Sequence, residues 1–131
     1  MNNVTDSFIA FEKAVVESIL LYSKNEHISK IKQQYNNSVV VSRQFTGVGF
    51  YTDFSIPDKS LRLGSDINFE LGDIYATVNN LNSKYGIGFL LFIRNGVISF
   101  LEGFAYGDVW PEEITEYKFS LIKNDGELEA L

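Results

Sequence analysis

An Asn95-Gly96 pair, set between two apolar and aromatic-rich runs, constrains the fold of this chain more than any other feature. The runs cover residues 89–94 and 97–104. Asn-Gly is the strongest short-range signal for a type I′ β-hairpin, because both central residues of that turn need a positive φ. The sequence therefore predicts a long antiparallel hairpin at the centre of the fold.

A two-residue loop also fixes the register of this hairpin. The expected cross-strand pairs are Arg94 with Val97, Ile93 with Ile98, Leu91 with Phe100 and Phe89 with Glu102. Because side chains alternate along a strand, both faces of the hairpin are expected to be largely apolar. One face would hold Phe89, Leu91, Ile93, Ile98 and Phe100, and the other Leu90, Phe92, Val97, Ser99 and Leu101. Two apolar faces are typical of central strands in a sheet that is covered on both sides, or nearly so.

Upstream of the hairpin, apolar residues at three- and four-residue spacing predict an amphipathic helix over residues 5–23. Its stripe consists of Phe8, Phe11, Val15, Ile19 and Tyr22, with Glu12, Lys13 and Glu17 off the stripe. A shorter helix is expected around residues 28–35.

Alternating segments predict further strands at residues 39–45, 50–56, 74–78 and 116–122, and leave open whether residues 61–71 add another. The fold class is α+β. Two N-terminal helices are expected to pack on a mostly antiparallel sheet of five to seven strands with the Asn-Gly hairpin at its centre.

Composition is typical of one globular domain, since 45% of the 131 residues are hydrophobic and 21% are charged. No apolar run reaches the roughly 20 residues that cross a bilayer, and residues 1–6 lack the pattern of a signal peptide. The absence of cysteine excludes disulfides and Cys-based metal sites, and it is compatible with a reducing compartment. We expect a single cytoplasmic domain over residues 1–122, without cofactor or metal, followed by a flexible acidic tail over residues 123–131.

The net charge of −6 is unevenly distributed, because residues 45–131 hold thirteen Asp and Glu against six Lys and Arg. Nucleic-acid binding depends on basic patches, so an acidic chain argues against that class of partner. No membrane partner is expected either. The charge suits solubility, and it also suits a basic protein partner.

Two segments resemble the signatures of a small, uncharacterised bacterial domain family. They are Val-Ser-Arg-Gln-Phe-Thr-Gly-Val-Gly-Phe-Tyr-Thr at residues 41–52 and Leu-Glu-Gly-Phe-Ala-Tyr-Gly-Asp-Val-Trp-Pro-Glu-Glu-Ile at residues 101–114. The resemblance covers the sheet and the Trp-Pro-Glu-Glu loop. It implies a bacterial, single-domain protein and brings no catalytic residues with it.

Arg43 and Glu102 are the first candidate site. Strand alternation directs both charges into apolar faces, and an isolated buried charge is very costly, so the two are expected to pair. Such a pair either pins two strands structurally or belongs to a ligand-binding or catalytic pocket.

The second candidate site is a loop in which aromatic residues alternate with acids. Tyr and Trp are enriched at binding hot spots, so the loop is interpreted as a partner-binding patch. Its residues are Tyr106, Asp108, Trp110, Glu112, Glu113 and Glu116. The alternative is a loop that folds back and covers the core with its indole. The carboxylates match no fixed metal or hydrolase spacing, and a single histidine, His27, makes neither a triad nor a metal site.

No catalytic signature emerges from the sequence, and three function hypotheses remain open. The first is a non-enzymatic binding protein, in its most concrete form an immunity protein that neutralises a basic, nuclease-type bacterial toxin by direct binding. The second is a small-ligand binder or enzyme with a pocket around Arg43 and Glu102. The third is a structural subunit that associates through a sheet edge.

Overall fold

The computed structural model describes residues 4–78, 86–106, 109–111 and 113–131. Two helices precede the sheet: α1 (Asp6–Tyr22) and α2 (Ile28–Asn36). The described residues form eight strands: β1 (Val39–Phe45), β2 (Gly49–Ser55), β3 (Phe69–Leu71), β4 (Ile74–Val78), β5 (Ile87–Arg94), β6 (Val97–Ala105), β7 (Tyr117–Ile122) and β8 (Leu128–Ala130). The predicted α+β class is confirmed.

The sheet has the order β1-β2-β6-β5-β4-β7-β8, and β3 also pairs with β5. All the pairings are antiparallel. The β5–β6 hairpin lies in the middle, and Asn95 (φ 54°) and Gly96 (φ 78°) have the positive φ that a type I′ turn requires. The predicted central hairpin is confirmed.

The predicted register of the hairpin is confirmed next to the turn, where Arg94 faces Val97 and Ile93 faces Ile98, but a β-bulge at Ser99 makes it wrong beyond that point. Beyond the bulge, Leu91 faces Leu101 instead of Phe100. One extra residue in a strand moves all the following side chains to the opposite face of the sheet. Leu101 consequently points into the core and is fully buried, whereas Phe100 remains partly exposed.

Both described helices pack on one face of the sheet, where they bury the core. Its largest fully buried side chains include Phe11, Val15, Ile19, Ile31, Phe50, Ile74, Leu91, Ile93, Ile98 and Leu101. The prediction of a sheet covered on both sides is wrong for the part of the chain that the structure describes. We call the uncovered side the open face; on it Phe92 and Phe100 are partly exposed.

Helix α1 follows the predicted apolar spacing except at two positions. Thr5 caps its start by accepting a hydrogen bond from the Phe8 N–H. Tyr22, expected in the stripe, is 41% exposed, and Glu12, expected outside it, is 4% exposed. The buried face of the helix is therefore shifted toward Glu12.

Helix α2 is tied to the hairpin by Gln34, which is fully buried. Its side-chain amide donates to the carbonyls of Leu61 and Gly96, each at 2.9 Å, and its Oε1 accepts from the Ile98 N–H at 2.8 Å. One side chain thus satisfies three backbone groups beside the central turn, and all its own polar atoms are satisfied as well.

The sheet also extends into the segment predicted to be a flexible tail. A turn closed by Gly126 (φ 84°) returns the chain, and β8 then pairs with β7. Residues 61–71, left open by the sequence, contribute only the three-residue strand β3. None of the described helices is long and apolar enough to cross a membrane.

Candidate functional site

Arg43 and Glu102 do not form the predicted pair, because they lie on opposite faces of the sheet. Arg43 is the cross-strand partner of Thr52, whereas Glu102 is the partner of Tyr51, the residue before it. Adjacent residues of a strand point to opposite faces. No single pocket can therefore be lined by both side chains, and the predicted ion pair is wrong.

Arg43 instead pairs with Glu12 of helix α1. Arg43 Nη2 lies 2.9 Å from Glu12 Oε1 and Nε lies 3.0 Å from Oε2, so the guanidinium and the carboxylate meet side-on. The Thr52 hydroxyl donates a further hydrogen bond to Glu12 Oε2 at 2.5 Å. The three residues, which we call the Glu12 network, connect α1 to β1 and β2.

Two side chains in or beside the Glu12 network have a raised pKa, Arg43 and Tyr35. Hydrogen bonding to Glu12 is the main cause that raises the pKa of Arg43. Burial, reinforced by the charge of Glu12, raises the pKa of Tyr35 to about 12. Each buried polar atom in this network has a partner, so the arrangement is that of a structural pin between helix and sheet.

The sequence does carry a signal for Glu12. The residue stands four positions after Phe8, three before Val15 and seven before Ile19, which is the spacing of one helix face. A charged residue within a buried helical stripe needs a partner from another element. Arg43, the basic residue of β1, is such a partner.

The second predicted site, the aromatic and acidic loop, is divided by the fold. The Trp110 ring packs edge-on against Phe50 at 5.1 Å and lies 6.5 Å from Phe11, and the backbone N–H of Trp110 donates to the Gly47 carbonyl. Trp110 therefore covers the core, as in the alternative interpretation of the loop. Its role as a partner-binding anchor is not supported.

The remaining residues of that loop are distributed differently. Tyr106 is 44% exposed and packs edge-on against Phe104 at 5.0 Å. Glu113 and Glu116 are exposed, and Asp108 and Glu112 lie outside the described residues. Among the described residues, no three His, Cys, Asp or Glu side chains are grouped to hold a metal ion.

The structure reveals a further site on the open face, a row of side chains that crosses four strands. Glu70 on β3 is the cross-strand partner of Phe92, Phe92 of Phe100, and Phe100 of Asp53 on β2. The Phe92 and Phe100 rings stack with centroids 4.3 Å apart and an interplanar angle of 17°. We call these four residues the open-face row.

Tyr51 and Glu102 flank the open-face row. The Tyr51 ring lies 6.0 Å from Phe100, and its hydroxyl donates to Glu102 Oε2 at 2.9 Å. That hydrogen bond is the main cause that raises the pKa of Tyr51. Partly exposed aromatic rings edged by carboxylates have the composition of a protein-binding surface, with an apolar centre and a polar rim.

Comparisons of the chain with protein-family models, curated proteins and solved structures found no significant match. The resemblance of residues 41–52 and 101–114 to a bacterial domain family therefore stays a prediction.

Proposed function

We propose that this chain is a non-enzymatic binding protein, most concretely a cytoplasmic bacterial immunity protein that neutralises a basic, nuclease-type toxin by direct binding. The observation that carries the proposal is the open-face row, which presents stacked aromatic rings on a sheet face where no described helix packs. Aromatic side chains, Phe included, are enriched in the buried centres of protein interfaces.

Charge supports a basic partner. The chain has a net charge of −6, and the row ends in the exposed carboxylates of Glu70 and Asp53. Complementary charge accelerates association and helps to exclude wrong partners. A nuclease toxin, whose own substrate is a polyanion, presents basic residues around its active site. An acidic binding face is suited to blocking such a surface.

The experiment compares capture by the tagged wild-type chain with capture by the variant F92S/F100S. The control I9S/L21S removes two exposed apolar side chains of α1, the helix that packs on the opposite face of the sheet. We expect the wild type and the control to retain one stoichiometric basic protein from the source bacterium, and F92S/F100S to lose it. Circular dichroism melting establishes that all three proteins are folded.

The captured protein is then expressed in a test strain. Growth arrest that the wild type relieves and F92S/F100S does not relieve supports the immunity function. Protection that is unchanged in a folded F92S/F100S variant contradicts the open face as the binding surface. If E113K/E116K abolishes protection instead, the partner binds the acidic loop.

A second candidate, a structural subunit, is favoured by one observation at the sheet edge. Val39, Val40 and Val41 on edge strand β1 are 51%, 40% and 64% exposed, which is unusual for consecutive β-branched residues. The mass of the chain in solution tests this candidate. A dimer that the variant V39T/V41T converts to a monomer supports association through β1, and a wild-type monomer contradicts it.

A further inference from the structure

The open-face row is nearly symmetric in its chemistry, because each aromatic ring stands beside a carboxylate. Glu70 pairs across strands with Phe92 at one end, and Asp53 pairs with Phe100 at the other. Two stacked rings separate the two acids. The row therefore consists of two halves, an aromatic residue and an acid in each.

The first half already holds a guanidinium group from the chain itself. The Arg94 guanidinium carbon lies 4.9 Å from the centroid of the Phe92 ring, and its Nη1 lies 3.0 Å from Glu70 Oε2. Stacking on an aromatic ring and pairing with a carboxylate are the two contacts that bind a guanidinium group most favourably. Arg94 shows that this arrangement can position an arginine.

The second half has the same groups and no cation from the described part of the chain. Asp53 is exposed and accepts a hydrogen bond from the Ser42 hydroxyl at 2.7 Å. Glu102, two residues along the strand from Phe100, accepts one from Tyr51. Within the described ranges, neither carboxylate forms a salt bridge with Lys or Arg.

We propose that the Phe100 half of the open-face row binds an arginine side chain of the protein partner. The guanidinium stacks on the exposed part of Phe100 and pairs with Asp53, with Glu102 adding a second carboxylate. Arginine fits better than lysine because its planar group can stack and donate to carboxylates at the same time. This inference rests on the proposed function and names the chemistry that the surface recognises.

The direct test uses blocked tripeptides with a central arginine, lysine or citrulline residue, titrated into the full-length ¹⁵N-labelled chain. Citrulline keeps the shape of arginine and removes its charge. We expect the arginine peptide to shift the backbone amide signals of Asp53, Phe100 and Glu102. The lysine peptide should shift them less, and the citrulline peptide should leave them unchanged.

Variants then assign the contacts. D53N/E102Q should weaken arginine-peptide binding by about tenfold, since it removes the negative charge from both acceptors of the guanidinium group. F100L keeps an apolar side chain and removes the π face, and we expect it to weaken binding as well. E129Q removes an exposed carboxylate from β8 and should have no effect.

Three results would overturn the inference: equal shifts with the citrulline peptide, shifts confined to residues outside the row, or unchanged binding in D53N/E102Q. The partner-capture experiment separates these failures from failure of the proposed function. A partner that F92S/F100S loses and D53N/E102Q still binds overturns the arginine assignment alone. A partner that both folded variants still bind overturns the open-face binding site as well.

Discussion

Arg43 on strand β1 and Glu12 on helix α1 are joined by two hydrogen bonds of 2.9 and 3.0 Å, with side chains only 17% and 5% exposed. Thr52 on the neighbouring strand occupies a further acceptor position of the carboxylate. A buried pair of this kind contributes little net stability compared with apolar residues, but the loss of one partner leaves a charge without compensation.

The first prediction concerns this network. The variant E12A should lower the free energy of unfolding by about 3 kcal/mol, because Arg43 is left without its carboxylate. The double variant E12L/R43M should lower it less than E12A does. Urea unfolding measures both. Glu17, exposed on the same helix, provides the control E17A, expected within about 0.5 kcal/mol of wild type. Equal effects of E12A and E17A would contradict the prediction.

The second prediction concerns Gln34, whose amide serves three backbone groups. Q34L should lower the free energy of unfolding by about 3 kcal/mol, since the Ile98 N–H and the Leu61 carbonyl lose their side-chain partner and the Gly96 carbonyl keeps only the Leu63 N–H. Q33L at the exposed neighbouring position is the matched control and should be nearly neutral. Chemical denaturation compares them, and a neutral Q34L would show that water replaces the amide.

The third prediction separates backbone strain from crowding at glycine. Gly96 and Gly126 have φ of 78° and 84°, so alanine is strained at both positions. A Cβ at Gly96 would also collide with the carbonyl oxygens of Leu63 and Gly64, whereas one at Gly126 would meet nothing within 4 Å. We expect G126A to lower the free energy of unfolding by about 1 kcal/mol and G96A to lower it by at least twice as much, as measured by thermal unfolding. Similar melting temperatures of G96A and G126A would contradict this prediction.

The fourth prediction is an alkaline pH dependence set by Tyr35. Its folded-state pKa of about 12 exceeds the ordinary value of 10.0, chiefly because of burial. As the pH rises, the Tyr35 hydroxyl therefore loses its proton in the unfolded chain first. The contribution of Tyr35 to the free energy of unfolding is complete below pH 10.0 and is lost as the pH rises toward about 12. In Y35F this part of the stability loss should be absent. Unfolding measured across that range tests it, with tyrosinate absorbance reporting the ionisation directly. The prediction would be refuted if the free energy of unfolding depended on pH in the same way in Y35F and in the wild type.

Local patterns predicted the main elements of this fold. The positive φ that Asn95 and Gly96 tolerate determines a two-residue turn whatever the rest of the chain does. The apolar spacing of residues 8–19 likewise determines which side of α1 is buried, within one helical position. These features follow from neighbouring residues alone, so sequence reasoning could reach them.

The candidate site depended on relationships that local patterns do not contain. The bulge at Ser99 moves Phe100 to the side of the sheet occupied by Phe92 and so creates the open-face row. A bulge is a compromise between register and packing across several strands, and it has no unique sequence signature.

The partner of Arg43 was decided in the same way. The sequence determined that a charge directed into an apolar face needs an opposite charge, and that requirement is satisfied. Only the tertiary structure determined that the carboxylate comes from Glu12 of the helix and that Glu102 faces the other side. The reason is physical: burial creates the need for a partner locally, whereas the distance between two side chains depends on how the helix packs on the sheet.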